Sequence, residues 1–271
     1  MESSKFEVES SKSGLPCLVL ENVSRAFGGL KAVDDVSLTV NAGERRVVIG
    51  PNGAGKTTLF DLVSGELAVT SGTITLFGSE VTRLRPFDRA ARGLARTFQI
   101  TRLFPNLTVQ ENMLLACEAL DRRKFTMLRP LWSCESLVAR ASRVIEAFEL
   151  AAVSGEPARN LSYGDQRKLE VALALAGRPR LLLLDEPLAG LAAADRASMQ
   201  HVIESLDGDI AVLLIEHDMD VALAIADSVT VMYQGRVLVE GSPGEISANA
   251  NVQRIYLGLE PPEAGSPQPG A

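Results

Sequence analysis

The sequence predicts an α/β fold built from a parallel-sheet core, a smaller antiparallel β-subdomain and a helical subdomain. Three observations predict it. Hydrophobic residues make up 46% of the chain but aromatics only 5%, so Ala, Leu and Val must fill the core, which suits α/β packing better than a β-sandwich. Four short stretches are almost continuously apolar: residues 46–49 (RVVI), 181–184 (LLLL), 211–215 (AVLLI) and 229–232 (VTVM). Runs of this length fit strands covered on both faces, as in a parallel sheet. From about residue 100 to 175 the pattern changes to helical spacing.

Taken along the chain, residues 1–15 are polar and Ser-rich and read as a flexible arm. Residues 16–258 form one domain, a natural size for a chain of 271 residues. More alternating stretches at 37–40 and 73–77 fit the antiparallel sheet. A helix is expected over 57–63. In the helical insert, Leu137, Ala141, Val144, Ile145 and Phe148 fall on one helical face, with Arg140, Arg143 and Glu146 on the other. Residues 259–271 are rich in Pro and Gly and read as a disordered tail. No internal repeat is present.

Charge and cysteines narrow the function. The net charge of −7 argues against a broad basic surface for nucleic acid. Cys17, Cys117 and Cys134 are odd in number and widely spaced, so a disulfide framework or zinc site is not expected. No apolar run approaches the ~18–20 residues that span a bilayer, and the first residues lack the apolar stretch of a signal peptide. A cytosolic chain, recruited to a surface only by a partner, is the expectation.

Three motifs carry chemistry. Gly50, Pro51, Asn52, Gly53, Ala54, Gly55, Lys56, Thr57 and Thr58 match G-x-x-x-x-G-K-[ST] between a strand and a helix. Glycines let backbone N–H groups turn inward on phosphate oxygens, and the helix N-terminus adds its dipole. Lys56 then reaches the β- and γ-phosphates, and the Thr57 hydroxyl is placed for Mg²⁺. Chance would produce the four fixed positions in about one chain in a hundred of this length. The second motif is Asp185-Glu186 at the end of the LLLL run. Ligands of open parallel sheets bind beyond the carboxyl ends of strands, so Asp185 suits a Mg²⁺ contact through water and Glu186 a general base. The third is LSYGDQ at 161–166, ahead of good helix formers, with Ser162 as N-cap. It makes a second helix terminus that attracts anions.

Taken in this order, the motifs resemble the ABC nucleotide-binding domain over about residues 16–258. LSYGDQ stands at the family's signature, Gln99 at the Q-loop glutamine, His217 at the switch histidine, and Phe27 where an aromatic stacks on adenine. The resemblance implies ATP and Mg²⁺ as ligands, with Gln99 sensing the metal and His217 meeting the γ-phosphate. It implies a head-to-tail pair, homo- or heterodimeric, in which Ser162 and Gly164 contact the partner's ATP. Phe27 fits either adenine stacking or ordinary core. A finer resemblance, to ATP-binding subunits of branched-chain amino acid importers, rests on ARTFQITRLFPNLTVQENMLLA, the YG form of the signature, and VQRIYLG. It implies integral membrane permease subunits as partners, a place on the cytoplasmic face of the membrane, and no contact with the solute. Leu103, Phe104 and Leu107 fit either a groove for the permease or internal packing. Tyr163 and Asp165 depart from Gly and Gln of the general signature, and Ala192 replaces the usual Asp or Asn of the D-loop. Export of lipid-polysaccharide and a non-transport ABC ATPase are the alternative functions.

Overall fold

The computed structural model describes residues 16–97, 103–119 and 131–256. Gln99, the N-terminal arm and the C-terminal tail lie outside these residues. The first half of the chain runs β1 (Pro16–Phe27), β2 (Leu30–Asn41), β3 (Arg45–Ile49), α1 (Lys56–Ser64), β4 (Ser71–Leu76), β5 (Ser79–Glu80), α2 (Pro86–Ala90) and β6 (Leu94–Arg96). Three helices follow: α3 (Val109–Ala119), α4 (Glu135–Ala147) and α5 (Tyr163–Leu175). The remainder is β7 (Leu181–Asp185), α6 (Ala193–Glu204), β8 (Ala211–Ile215), α7 (Met219–Ile225), β9 (Ser228–Tyr233), β10 (Arg236–Gly241), α8 (Pro243–Ala248) and α9 (Ala250–Tyr256).

Two sheets result. The larger has the order β10-β9-β3-β8-β7-β6, with β9, β3, β8, β7 and β6 mutually parallel and β10 antiparallel at the edge. The four apolar runs are four adjacent strands of this sheet. Their side chains alternate between two cores, as the period-2 pleat requires. Val47, Ile49, Leu182, Leu184, Val212, Leu214, Val229 and Val231 face the core shared with the helices that follow β6. Val48, Leu181, Leu183, Leu213, Ile215 and Met232 face the core shared with α1 and the smaller sheet. Burial on both faces is why these strands read as unbroken apolar runs rather than as alternation.

The smaller sheet, β2-β1-β4-β5, is antiparallel. The sequence pattern located only parts of β2 and β4. β1 escaped it because register shifts break its pairing with β2 near Leu20, Val23 and Arg25, and bulges of this kind disrupt alternation.

In α4, Leu137, Ala141 and Ile145 are buried as the spacing predicts, and Phe148 packs at the C-terminal cap. Arg140 departs from the expected exposed face. It is half-buried, and its guanidinium donates to the Cys117 carbonyl, tying α4 to the end of α3.

Candidate active site

The loop after β3 is shaped by close backbone approach. Gly50 sits at φ +147° and Gly55 at φ +97°. A Cβ on Gly50 would lie 2.1 Å from the Met232 carbonyl oxygen, and one on Gly55 would lie 2.2 Å from that of Ala32. Only glycine satisfies both the left-handed backbone and the missing space. Gly55 is the N-cap of α1, so the helix starts at Lys56, one residue before the sequence pattern placed it.

Lys56 is 5% exposed. Its Nζ donates to the carbonyls of Gly50 at 2.6 Å and Pro51 at 3.0 Å, so it braces the loop from inside. Burial pulls its ammonium below the ordinary lysine range, while the Glu186 and Asp185 carboxylates act in the opposite sense.

Asn52, Gly53, Ala54, Gly55, Lys56, Thr57 and Thr58 line a cavity of about 290 Å³ together with Glu186 and His217. Strand order explains the meeting. β3 pairs with β8, and β8 pairs with β7. Ile215 is level with both Val48 and Asp185. The residues that follow each strand therefore emerge at one edge of the sheet. The His217 Nε2 contacts the Glu186 Oε1 directly. Glu186 itself holds φ +49°, its N–H donates to the Ile215 carbonyl at 3.1 Å, and its carbonyl accepts from Arg167 Nη2 at 2.9 Å.

Asp185 is 2% exposed. Its Oδ2 lies 3.4 Å from Arg96 Nη2, and its Oδ1 is buried without a hydrogen-bond partner. Burial pushes this carboxyl above the usual range. Arg96 opposes that shift, and the neighbouring Glu186 charge adds to it. Arg96 also reaches Asp61 of α1 at 2.6 Å and Ser64 at 2.9 Å. An unpaired buried carboxylate oxygen is costly unless something else satisfies it. A hydrated Mg²⁺ has the right chemistry, since it takes oxygen ligands and keeps part of its water shell.

Not every predicted site residue joins this cavity. Phe27 is 46% exposed at the end of β1, so it is not core. The Arg25 guanidinium lies over its ring at 4.6 Å. Ser162 is the N-cap of α5: its Oγ accepts the Asp165 N–H at 3.1 Å and donates to Asp165 Oδ2 at 2.8 Å. Gly164 is buried against α6, where a Cβ would meet the Asp195 carboxylate at 2.6 Å. Neither Ser162 nor Gly164 lines the cavity of its own chain. Sequence reasoning passed over Arg96, Arg167 and Glu216. Each lies in or beside a motif, Arg96 in the ARTFQ segment, Arg167 just after LSYGDQ and Glu216 just before His217, but only their spatial partners reveal a role.

Comparison with known proteins identifies the family. The ABC transporter family profile matches residues 33–189, more than half of the chain. The chain is 40% identical over 250 residues to the branched-chain amino acid transport ATP-binding protein LivG of Salmonella typhimurium, covering 90% of this chain and 98% of that one. It is 38% identical over 250 residues to BraF of Pseudomonas aeruginosa, with the same coverage. The lipopolysaccharide export ATP-binding protein LptB of Escherichia coli is 34% identical over 242 residues, covering 89% of this chain and 97% of that one. Among solved structures, the ADP conformation of MJ1267, an ATP-binding cassette of an ABC transporter, superposes with a TM-score of 0.78 at 30% identity. It covers 90% of this chain and 99% of that one. A parallel sheet with a phosphate-loop sequence, an acidic pair and a histidine at one edge, matched over nearly the whole length of such relatives, places the chain in the ABC transporter family as an ATP-binding subunit.

Proposed function

We propose that this chain hydrolyses Mg·ATP to drive the import of branched-chain amino acids through a membrane permease. The observation that carries the hydrolytic part is the meeting of Lys56, Glu186 and His217 on one cavity at the carboxyl edge of the parallel sheet. Near-complete coverage of LivG and BraF supports the cargo. LptB, at lower identity, supports lipopolysaccharide export as the alternative.

Each residue has a role in this reading. The backbone of residues 50–58 cradles the phosphates, and Lys56 turns from the loop carbonyls toward the β- and γ-oxygens. The Glu186 carboxylate takes the proton of the attacking water as its oxygen bonds to the γ-phosphorus and the bond to the β-phosphate oxygen breaks. His217 orients Glu186 and meets the γ-phosphate. Thr57, Asp185 and Gln99 are assigned to the metal. Mg²⁺ held there would supply positive charge to the phosphate oxygens. The exposed Phe27 ring offers a face to adenine. Ser162 and Gly164, lying away from their own cavity, are assigned to the nucleotide of a second ATP-binding subunit in a head-to-tail pair.

Among the described residues, no helix is long and apolar enough to cross a membrane. By analogy with the transport ATP-binding proteins that this chain resembles, the permease is assigned to separate subunits that hold it at the cytoplasmic face. An apolar groove of about 360 Å³, lined by Phe87, Ala90, Leu94, Ala116 and Leu173 among others, is the docking surface we assign to them. Leu103, Phe104 and Leu107 are not among its lining residues. Leu103 packs partly against the core, whereas Phe104 is 57% exposed.

The test is ATP-driven uptake of radiolabelled leucine into vesicles that hold the chain with its permease. Uptake that depends on ATP supports the reading. ATP hydrolysis with no transport of any branched-chain amino acid removes the cargo and leaves the ATPase.

A further inference from the structure

The carboxyl end of β8 carries a buried acid that the hydrolytic roles above do not use. Glu216 is 4% exposed and does not line the cavity. Its Oε1 accepts the Leu188 N–H at 3.4 Å, and its Oε2 accepts the His217 N–H at 3.3 Å. Leu188 belongs to the turn that begins at Glu186, where the Ala189 N–H closes on the Glu186 carbonyl at 3.2 Å. The Glu216 N–H donates to the Val48 carbonyl at 3.4 Å, in the strand that runs into the phosphate loop. One residue therefore touches all three segments that meet at the cavity.

We propose that Glu216 is a positioning residue for hydrolysis, its ionised carboxylate holding the Glu186 turn and the His217 turn at a fixed separation. The proposal rests on the hydrolytic role assigned to Glu186. At 3.3 and 3.4 Å the two contacts are long, but an ionised acceptor holds N–H donors more strongly than a neutral one, and a low-dielectric surrounding strengthens the attraction further. The separation matters because the Glu186 and His217 side chains meet directly. A displacement of about 1 Å at reacting groups can lower a rate by about a hundredfold.

The same surroundings make the clip sensitive to pH. Burial pushes the Glu216 carboxyl up to about 7. The His217 and Leu188 N–H groups pull against this, while the Glu186 and Asp218 carboxylates, which face it from the two turns, add to it. Asp218 is in turn paired with Arg196 of α6 at 3.3 Å, and the His217 ring is engaged by Glu186. With the folded value raised, the carboxyl is protonated below about 7 and ionised above it. The clip forms as pH rises through that value, and turnover rises with it. Stability moves the other way. Between the ordinary glutamate value and about 7 the folded chain binds more protons than the unfolded chain, so this group's contribution falls as pH rises. A residue needed only for folding would make activity follow stability. A positioning residue makes the two diverge.

The experiment measures steady-state Mg·ATP hydrolysis and fluorescent-ATP affinity for the full-length chain from about pH 6 to 9, with unfolding midpoints at each pH. The variants are Glu216→Gln, Glu216→Asp and Glu186→Gln. Expected for Glu216→Gln is a kcat about tenfold lower at pH 8, with no rise across pH 7 and nucleotide affinity within about twofold of wild type. Glu216→Asp, still ionisable, retains the rise. Wild-type turnover and an unchanged pH profile in Glu216→Gln overturn the proposal. So does misfolding of both Glu216 variants, or a loss of nucleotide affinity equal to the loss of kcat, since either marks a structural residue. If Glu186→Gln still hydrolyses ATP, the underlying assignment fails. If it is inactive and Glu216→Gln is normal, only the positioning role fails.

Discussion

The His217 ring and the Glu186 carboxylate, 31 residues apart in the chain, touch at the carboxyl edge of the parallel sheet. Neither position is reached by local folding. β7 and β8 bring them together by pairing residue for residue from Leu181 with Ala211 to Asp185 with Ile215.

Glu186→Gln should keep nucleotide affinity and lose turnover by at least about a hundredfold. Gln preserves the size of the side chain but does not accept the proton of the attacking water. Phosphate release and fluorescent-nucleotide titration on the same preparation separate the two properties. Turnover near the wild-type rate would falsify the general-base assignment.

Lys56→Ala should fail at the earlier step, binding. The substitution removes the charge assigned to the phosphates, and charge-assisted contacts are each worth about 1.5–3 kcal/mol. It also removes the brace to the Gly50 and Pro51 carbonyls. Nucleotide affinity should drop at least about tenfold. An affinity equal to that of Glu186→Gln contradicts the division of roles.

Gly55→Ala tests the backbone of the loop rather than its charge. The added methyl group would meet the Ala32 carbonyl oxygen at 2.2 Å from a backbone already at φ +97°. Because the obstacle is backbone, it does not swing aside. A loss of about 1–3 kcal/mol in stability is expected, read as a lower denaturant midpoint, with weakened nucleotide binding. An unchanged midpoint means that the loop relaxes more readily than its contacts imply.

Charges on the apolar groove should separate docking from hydrolysis. Phe87 is 63% exposed and lines the groove away from the phosphate loop, so Phe87→Asp should bind nucleotide normally, with an unfolding midpoint measured alongside. Against a permease the new carboxylate would be buried unpaired, at a cost of several kcal/mol, and leucine uptake should be lost. Phe104→Asp should behave the same way if the docking surface extends past the groove. Its backbone is held independently by Asn112, which accepts the Phe104 N–H at 2.9 Å and donates to its carbonyl at 3.1 Å. Normal uptake by Phe87→Asp displaces the permease from this groove. Normal uptake by Phe104→Asp alone limits the surface to the groove's own lining.

The sequence by itself determined those features whose physics is local. Four apolar runs became four adjacent strands because a strand buried on both faces has no polar side to show. The glycines at 50 and 55 marked a turn that only glycine can make. Ser162 capped a helix because its hydroxyl reaches the Asp165 N–H three residues on. β1 was illegible for the complementary reason, since its bulges erase the alternation that reveals a half-buried strand. Tertiary structure alone decided which motifs share a cavity. The phosphate loop, Glu186 and His217 converge through strand register, while Ser162 and Gly164, equally plain in sequence, lie apart from them. It also decided the roles of residues with distant partners. Arg96 meets Asp185 across 89 residues, Arg167 meets Glu186 across 19, and the Glu216 side chain meets Leu188 across 28. Arg and Glu are ordinarily surface residues, and nothing adjacent in the chain marks these as buried. Their environment is created only when parallel strands align their ends, which no local window of sequence contains.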